Sequence, residues 1–194
     1  MVLLSYLLRL RLSPAVLLLL FLALGRGAAW AEAPSASEYE VKAAFLYNFA
    51  KFVEWPPTAF ADQSSALVIG VLGDDPFGVD LDRAVEDKTV NGRALVVRRF
   101  KRLEEVTTCH ILFVSASESG RLAHVLELLR TSSVLTVDED DQFVHLGGII
   151  NFTIRDNKVH FVINAEAAQQ AGLKISSKLL KVADTVLGQP GARR

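Results

Sequence analysis

Residues Ala66-Leu-Val-Ile-Gly-Val-Leu72 form an unbroken apolar run that stops at Gly73-Asp-Asp-Pro76. A run this short, with no polar residue on either alternating face, predicts a central strand buried on both sides, as in a parallel sheet covered by helices. The flanking sequence repeats the pattern. Upstream, Ser37 followed by Glu40 is a capping box, and Val41, Ala44, Phe45, Phe49, Phe52 and Val53 recur at helical spacing opposite Glu40, Tyr47, Lys51 and Glu54. Pro56-Pro57 ends that helix.

Downstream, a short helix is expected from about residue 77 to 86, and Asn91-Gly92 turns into Ala94–Phe100. Cys109–Val114 reads as a second buried strand, residues 117–130 as a helix with Leu122, Val125, Leu126 and Leu129 inward, and Ser133–Val137 as a third strand. Residues 148–154 and 158–163 flank Arg155-Asp-Asn157 and predict an antiparallel hairpin. Ile175, Leu179, Val182, Ala183 and Val186 then make one helical stripe. The expected fold is a single-domain α/β sandwich: a mixed, mainly parallel sheet flanked by helices, closed by the hairpin and a final helix.

Arg9 and Arg11 precede the apolar run Ala15–Leu24, and Ala29-Trp30-Ala31 follows. This is the order of a cleavable export signal, residues 1–31, too short in its apolar part to span a bilayer. Residues 32–37 then form a linker, 38–187 the domain and 188–194 a polar tail. Removing the signal takes three arginines and no acid, so a net charge of −1 becomes −4. A mildly acidic domain without a basic stripe is a poor match to nucleic acid. The single cysteine, Cys109, excludes an intrachain disulfide and reads as a buried, inert thiol.

No constellation for catalysis or for a cofactor emerges. The four histidines lack zinc spacing, no Gly-x-Ser-x-Gly elbow exists, and the glycines fail the phosphate-loop patterns. Asp74-Asp75 reads as a turn, and Asp138-Glu-Asp-Asp141 as a solvated acidic loop. Three features stand out as partner or ligand contacts: Asn48 on the apolar face of the first helix, Trp55-Pro56 at its end, and His145-Leu-Gly147-Gly148 leading into the hairpin.

Taken in order, Lys42-Ala-Ala-Phe through Trp55-Pro56, Val71-Leu-Gly-Asp-Asp-Pro-Phe-Gly78, Val90-Asn-Gly-Arg93, Cys109-His-Ile-Leu-Phe-Val114, Gly147-Gly-Ile-Ile-Asn-Phe152, Ile163-Asn164 and Leu173–Ala183 resemble the YfiR-like family. The resemblance implies a periplasmic, often dimeric protein that represses a membrane diguanylate cyclase by contacting its periplasmic region, relieved by an OmpA-like outer-membrane lipoprotein. It implies control of cyclic di-GMP and biofilm formation without catalytic residues or a cofactor. Members of the family carry disulfides that a lone Cys109 does not allow. A periplasmic small-ligand sensor, with a pocket between the sheet and the first helix, is the alternative.

Overall fold

A computed structural model describes residues 37–188, so the expected export signal, residues 32–36 of the expected linker and the tail beyond 188 lie outside the described residues. In chain order the elements are α1 (Glu38–Phe52), β1 (Val53–Glu54), β2 (Leu67–Leu72), α2 (Val79–Val85), β3 (Thr89–Val90), β4 (Arg93–Phe100), β5 (Ile111–Val114) and α3 (Leu122–Leu129). They continue with β6 (Leu135–Asp138), β7 (Ile150–Arg155), β8 (Lys158–Asn164), α4 (Ala165–Gln170), β9 (Lys174–Ile175), α5 (Ser177–Val182) and β10 (Thr185–Leu187). One sheet of eight strands runs in the order β10-β8-β7-β6-β5-β2-β4-β3, and β1 and β9 form a separate antiparallel pair.

The apolar run does become the central strand. Every residue of β2 is buried, with β4 and β5 parallel on its two sides. Alternation along the strands divides the core. Ile69, Val71, Phe113, Val137 and Phe152 face α1, α2 and α4, whereas Leu72, Leu112 and Val114 meet Leu122, Val125 and Leu126 of α3 together with Phe143. The predicted hairpin is β7–β8, and its tip is the two-residue turn Asp156-Asn157, both with positive φ as a type I′ turn requires.

The capping box is complete: Ser37 Oγ accepts from Glu40 N at 3.1 Å, and Ser37 N donates to Glu40 Oε2 at 3.3 Å. The buried face of α1 is nevertheless rotated from the expected one. It consists of Lys42, Ala43, Leu46, Phe49 and Ala50, while Ala44 is exposed and Val41, Phe45 and Phe52 are half-buried. Lys42, 1% exposed, is drawn inward because its ammonium meets Glu38 and, at 2.8 Å, Glu139 from the turn after β6.

That pairing also corrects the reading of the acidic run as solvated for its first two residues, whereas Asp140 and Asp141 are exposed as expected. Asp138 is 4% exposed at the end of β6, with its carboxylate capping the backbone N–H groups of Glu139 and Asp140. Burial, reinforced by the neighbouring Asp140 and Glu139 charges, pushes its carboxyl up to about 6 against the opposing pull of those N–H groups.

The single C-terminal helix is the second correction. Ile175 lies in β9, α5 covers only Ser177–Val182 under a Ser176 cap, and Val186 lies in β10, parallel to β8. Helical spacing of apolar residues was satisfied in the sequence, but the open edge of β8 offers backbone partners that a continued helix would leave unpaired. Asp184 fixes the change of direction: its N–H donates to Phe161 O at 3.0 Å, and its carboxylate holds Arg155 and His160.

Candidate functional site

In an open α/β sheet, ligands usually enter at the carboxyl ends of the strands, where the chain order reverses. Here that point lies between β2 and β5, and the protein's own side chains fill it. Gly73 has φ +91°, and a Cβ there would collide with Ser117 Oγ and press on Glu118. Ser117 Oγ accepts from Asp74 N at 2.9 Å, and the Glu118 side chain is 7% exposed and paired with Arg121. Asp75 is equally committed, accepting from Phe77 N at 2.8 Å and from Arg99 Nε at 2.7 Å. Among the described residues no group of three or more His, Cys, Asp or Glu side chains is placed to hold a metal.

The opposite, amino-terminal edge is open. A trough of about 400 Å³ lies between the end of α1, the start of β2 and the β3–β4 turn, lined by Val53, Trp55, Phe60, Leu67, Val90 and Arg93 among others. Beyond Phe60 a second hollow of about 310 Å³ continues towards Cys109, Leu129 and Val134. Phe60 lines both.

Four side chains build the divider. Trp55, half-buried, donates Nε1–H to His110 O at 3.1 Å. Phe60 stacks on the His110 ring with centroids 4.3 Å apart and planes at 20°, and the Arg93 guanidinium carbon sits 3.8 Å from the Phe60 centroid. Two planar groups do not fit side by side on one phenyl face at these distances, so the ring is held between imidazole and guanidinium. His110, 1% exposed, accepts from Val68 N at Nδ1 (3.1 Å) and therefore donates from Nε2 to Ala59 O (3.1 Å). Burial holds this imidazole below its ordinary range, against the Ala59 carbonyl, which favours the charged form. Arg93 Nη1 donates to Asp62 O at 2.8 Å and Ser65 O at 2.7 Å, tying the loop to β4.

The residues singled out in the sequence do not converge on one cavity. Trp55 lines the trough, and Pro56 leads into the one-turn helix Pro57–Ala59 at its wall. Asn48 is half-exposed, and its Oδ1 accepts from Lys51 Nζ at 3.4 Å. His145 and Gly147 are exposed on the loop between β6 and β7, and Gly147 borders a separate small recess beside Leu129 and Val134. Gly148 is buried against the Phe143 ring, with no room for a Cβ. His110, Phe60 and Arg93 are site residues that the sequence motifs do not single out, although the Asn91-Gly92 turn precedes Arg93 directly. Phe60 meets Arg93 and His110 across 33 and 50 residues of sequence. Cys109 is buried with its thiol pushed up to about 12 by burial, so it offers no nucleophile.

A family model described as YfiR/HmsC-like matches residues 39–184, well over half of the sequence. The chain belongs to the YfiR/HmsC-like family. Its theme is regulation of diguanylate cyclase signalling from the periplasm, without catalysis. Among the described residues no helix is long and apolar enough to cross a membrane. No functionally curated protein matches the chain. Among solved structures, an ABC domain in complex with L-Trp from Streptococcus pneumoniae is similar at 14% identity and TM-score 0.50, over 76% of this chain and 60% of that one. A conserved domain protein from Vibrio cholerae gives 13% identity and TM-score 0.51 over 77% of this chain and 60% of that one. At these identities the likeness concerns the fold alone, and the chain spans 60% of the length of either structure.

Of the segments that carry the family resemblance, Trp55-Pro56, Val90–Arg93 and Cys109-His110 meet at the amino-terminal edge.

Proposed function

We propose that this protein is exported to the periplasm and there binds and represses an inner-membrane diguanylate cyclase, lowering cyclic di-GMP and biofilm formation. The observation that carries the reading is the open, partly apolar edge lined by Trp55, Val90 and Arg93, with the usual ligand crevice plugged and the thiol inert. Repression of this kind needs a surface that prefers the inactive state of its partner and no reacting group. Trp55 and the exposed loop carrying His145 and Gly147 are the contacts assigned to that surface, as a dimer or a monomer, and an OmpA-like lipoprotein is the competitor that relieves repression.

The test is genetic and chemical together. Deleting the gene raises cellular cyclic di-GMP, a secreted copy restores it, and a copy lacking residues 1–31 does not. Loss of the cyclase abolishes both changes. Unchanged cyclic di-GMP in the deletion strain, with the protein normally expressed, refutes the repressor reading.

One observation favours a second reading. The trough is of the size that holds a small molecule, about 300 Å³ or more, so a ligand-sensing role is the alternative that such a result would leave.

A further inference from the structure

Phe60 occupies a site as a ligand would. Its ring lies between the His110 imidazole and the Arg93 guanidinium, both presented by the sheet. The backbone on either side of it is pinned independently of the ring. Ala59 O is held by His110 Nε2, and Asp62 O by Arg93 Nη1, at 3.1 and 2.8 Å. Rotation of the Phe60 side chain alone therefore vacates the sandwich, and the loop need not unfold. With the ring turned out, the hollows of about 400 and 310 Å³ on its two sides become one groove along the amino-terminal edge.

We propose that Phe60 is a displaceable plug, and that the groove beneath it receives an extended segment of a protein partner whose aromatic side chain replaces the Phe60 ring, with a carboxylate next to it bound by Arg93. The proposal rests on the partner-binding reading above. Charge supports the carboxylate. Arg93 spends only Nη1 on the two loop carbonyls, and its Nε–H and Nη2 groups have no partner among the described residues. An aromatic ring recovers the stacking and cation–π contacts that Phe60 gives up, worth about 0.5–2 kcal/mol each. Shape favours a chain over a free metabolite. The two hollows lie end to end and open to solvent, whereas small-molecule sites enclose roughly 70–90% of their ligand.

The plug makes an unusual prediction: removing an apolar contact residue improves binding. If the groove is vacant about one-tenth of the time, deleting its internal competitor tightens apparent affinity about tenfold. The probe is the blocked dipeptide N-acetyl-Phe-Asp-amide. The reporter is Trp55 emission in the mature protein, where removal of residues 1–31 leaves it the sole tryptophan. Phe60→Ala tightens binding about tenfold over the parent. Phe60→Leu, which keeps apolar bulk but cannot stack, tightens it by less, and so guards against misfolding of the alanine variant. Arg93→Lys weakens the Asp probe by more than it weakens N-acetyl-Phe-Asn-amide, which keeps the ring and lacks the carboxylate.

Weaker binding in both Phe60 variants, with melting temperatures near the parent's, overturns the plug. Binding of free L-phenylalanine without binding of the blocked dipeptide overturns the partner segment in favour of a small ligand. The two readings fail separately. Lost repression would show in cyclic di-GMP, whereas a groove that does not serve the partner would leave cyclic di-GMP responsive and the probe unbound in every variant.

Discussion

Replacing Glu139 with glutamine should destabilise the fold far more than the same change at Glu38, although both carboxylates contact the same ammonium. Lys42 Nζ is buried, and its neighbours set the balance. Burial works against the charged amine, but hydrogen bonds and charge from Glu139 and Glu38 outweigh it and raise its pKa. Glu139 reaches Lys42 at 2.8 Å from the turn after β6, its side chain 29% exposed, and its Oε2 also accepts from Tyr39 O–H at 3.4 Å. Glu38 belongs to α1 itself and is 46% exposed. Removing a partner from a fully buried charge costs about 3–5 kcal/mol, whereas an exposed i,i+4 pair is worth about 0.3–0.5. Because Glu38 remains and Glu139 is not fully desolvated, Glu139→Gln should cost about 2 kcal/mol, and Glu38→Gln under about 0.5. Urea unfolding at constant m-value measures both, with a melting point lowered by about 4–8 °C in the first case. Lys42→Met added to Glu139→Gln should recover part of the loss and give a coupling of about 1–2 kcal/mol. Since the Lys42 pKa is raised, the contribution should persist across neutral pH and disappear only as pH rises above about 10.5. Equal, small effects of the two glutamine substitutions would refute the assignment of Glu139 as the structural partner.

Asp138→Asn should be more stable than the parent at pH 7.5. A carboxyl raised to about 6 binds its proton more tightly folded than unfolded, so its charged form destabilises the fold at neutral pH, by about 2–3 kcal/mol. The melting-point difference between variant and parent should shrink to zero as pH falls through 6 towards 4. Taking that difference removes the opposing loss from His110, whose lowered pKa destabilises parent and variant alike below about 6.5. Gly148→Ala should cost about 1–3 kcal/mol in denaturant melts, because its methyl group enters the space of the fully buried Phe143 ring. Cys109 should resist iodoacetamide in the native protein and react after unfolding in urea, as its buried thiol titrates at about 12.

The apolar run 66–72, the Ser37–Glu40 box and the hairpin around Asp156-Asn157 were each fixed by local chemistry: an unbroken apolar strand, a reciprocal cap and a turn that needs positive φ. These signals depend on neighbours a few residues away, which is why they survive into the fold unchanged. The family resemblance was legible for a similar reason, since its motifs are contiguous. What the sequence could not carry was choice among partners far along the chain. Lys42 scores as a surface residue until Glu139 is brought across α1 to meet it, and that single ion pair turns the buried face of the helix. Val186 fits a helical stripe until the edge of β8 offers it a ladder. The trough at the amino-terminal edge is of the same kind: Trp55, Phe60, Arg93 and His110 carry no shared spacing, and only the parallel order of β4, β2 and β5 sets them side by side.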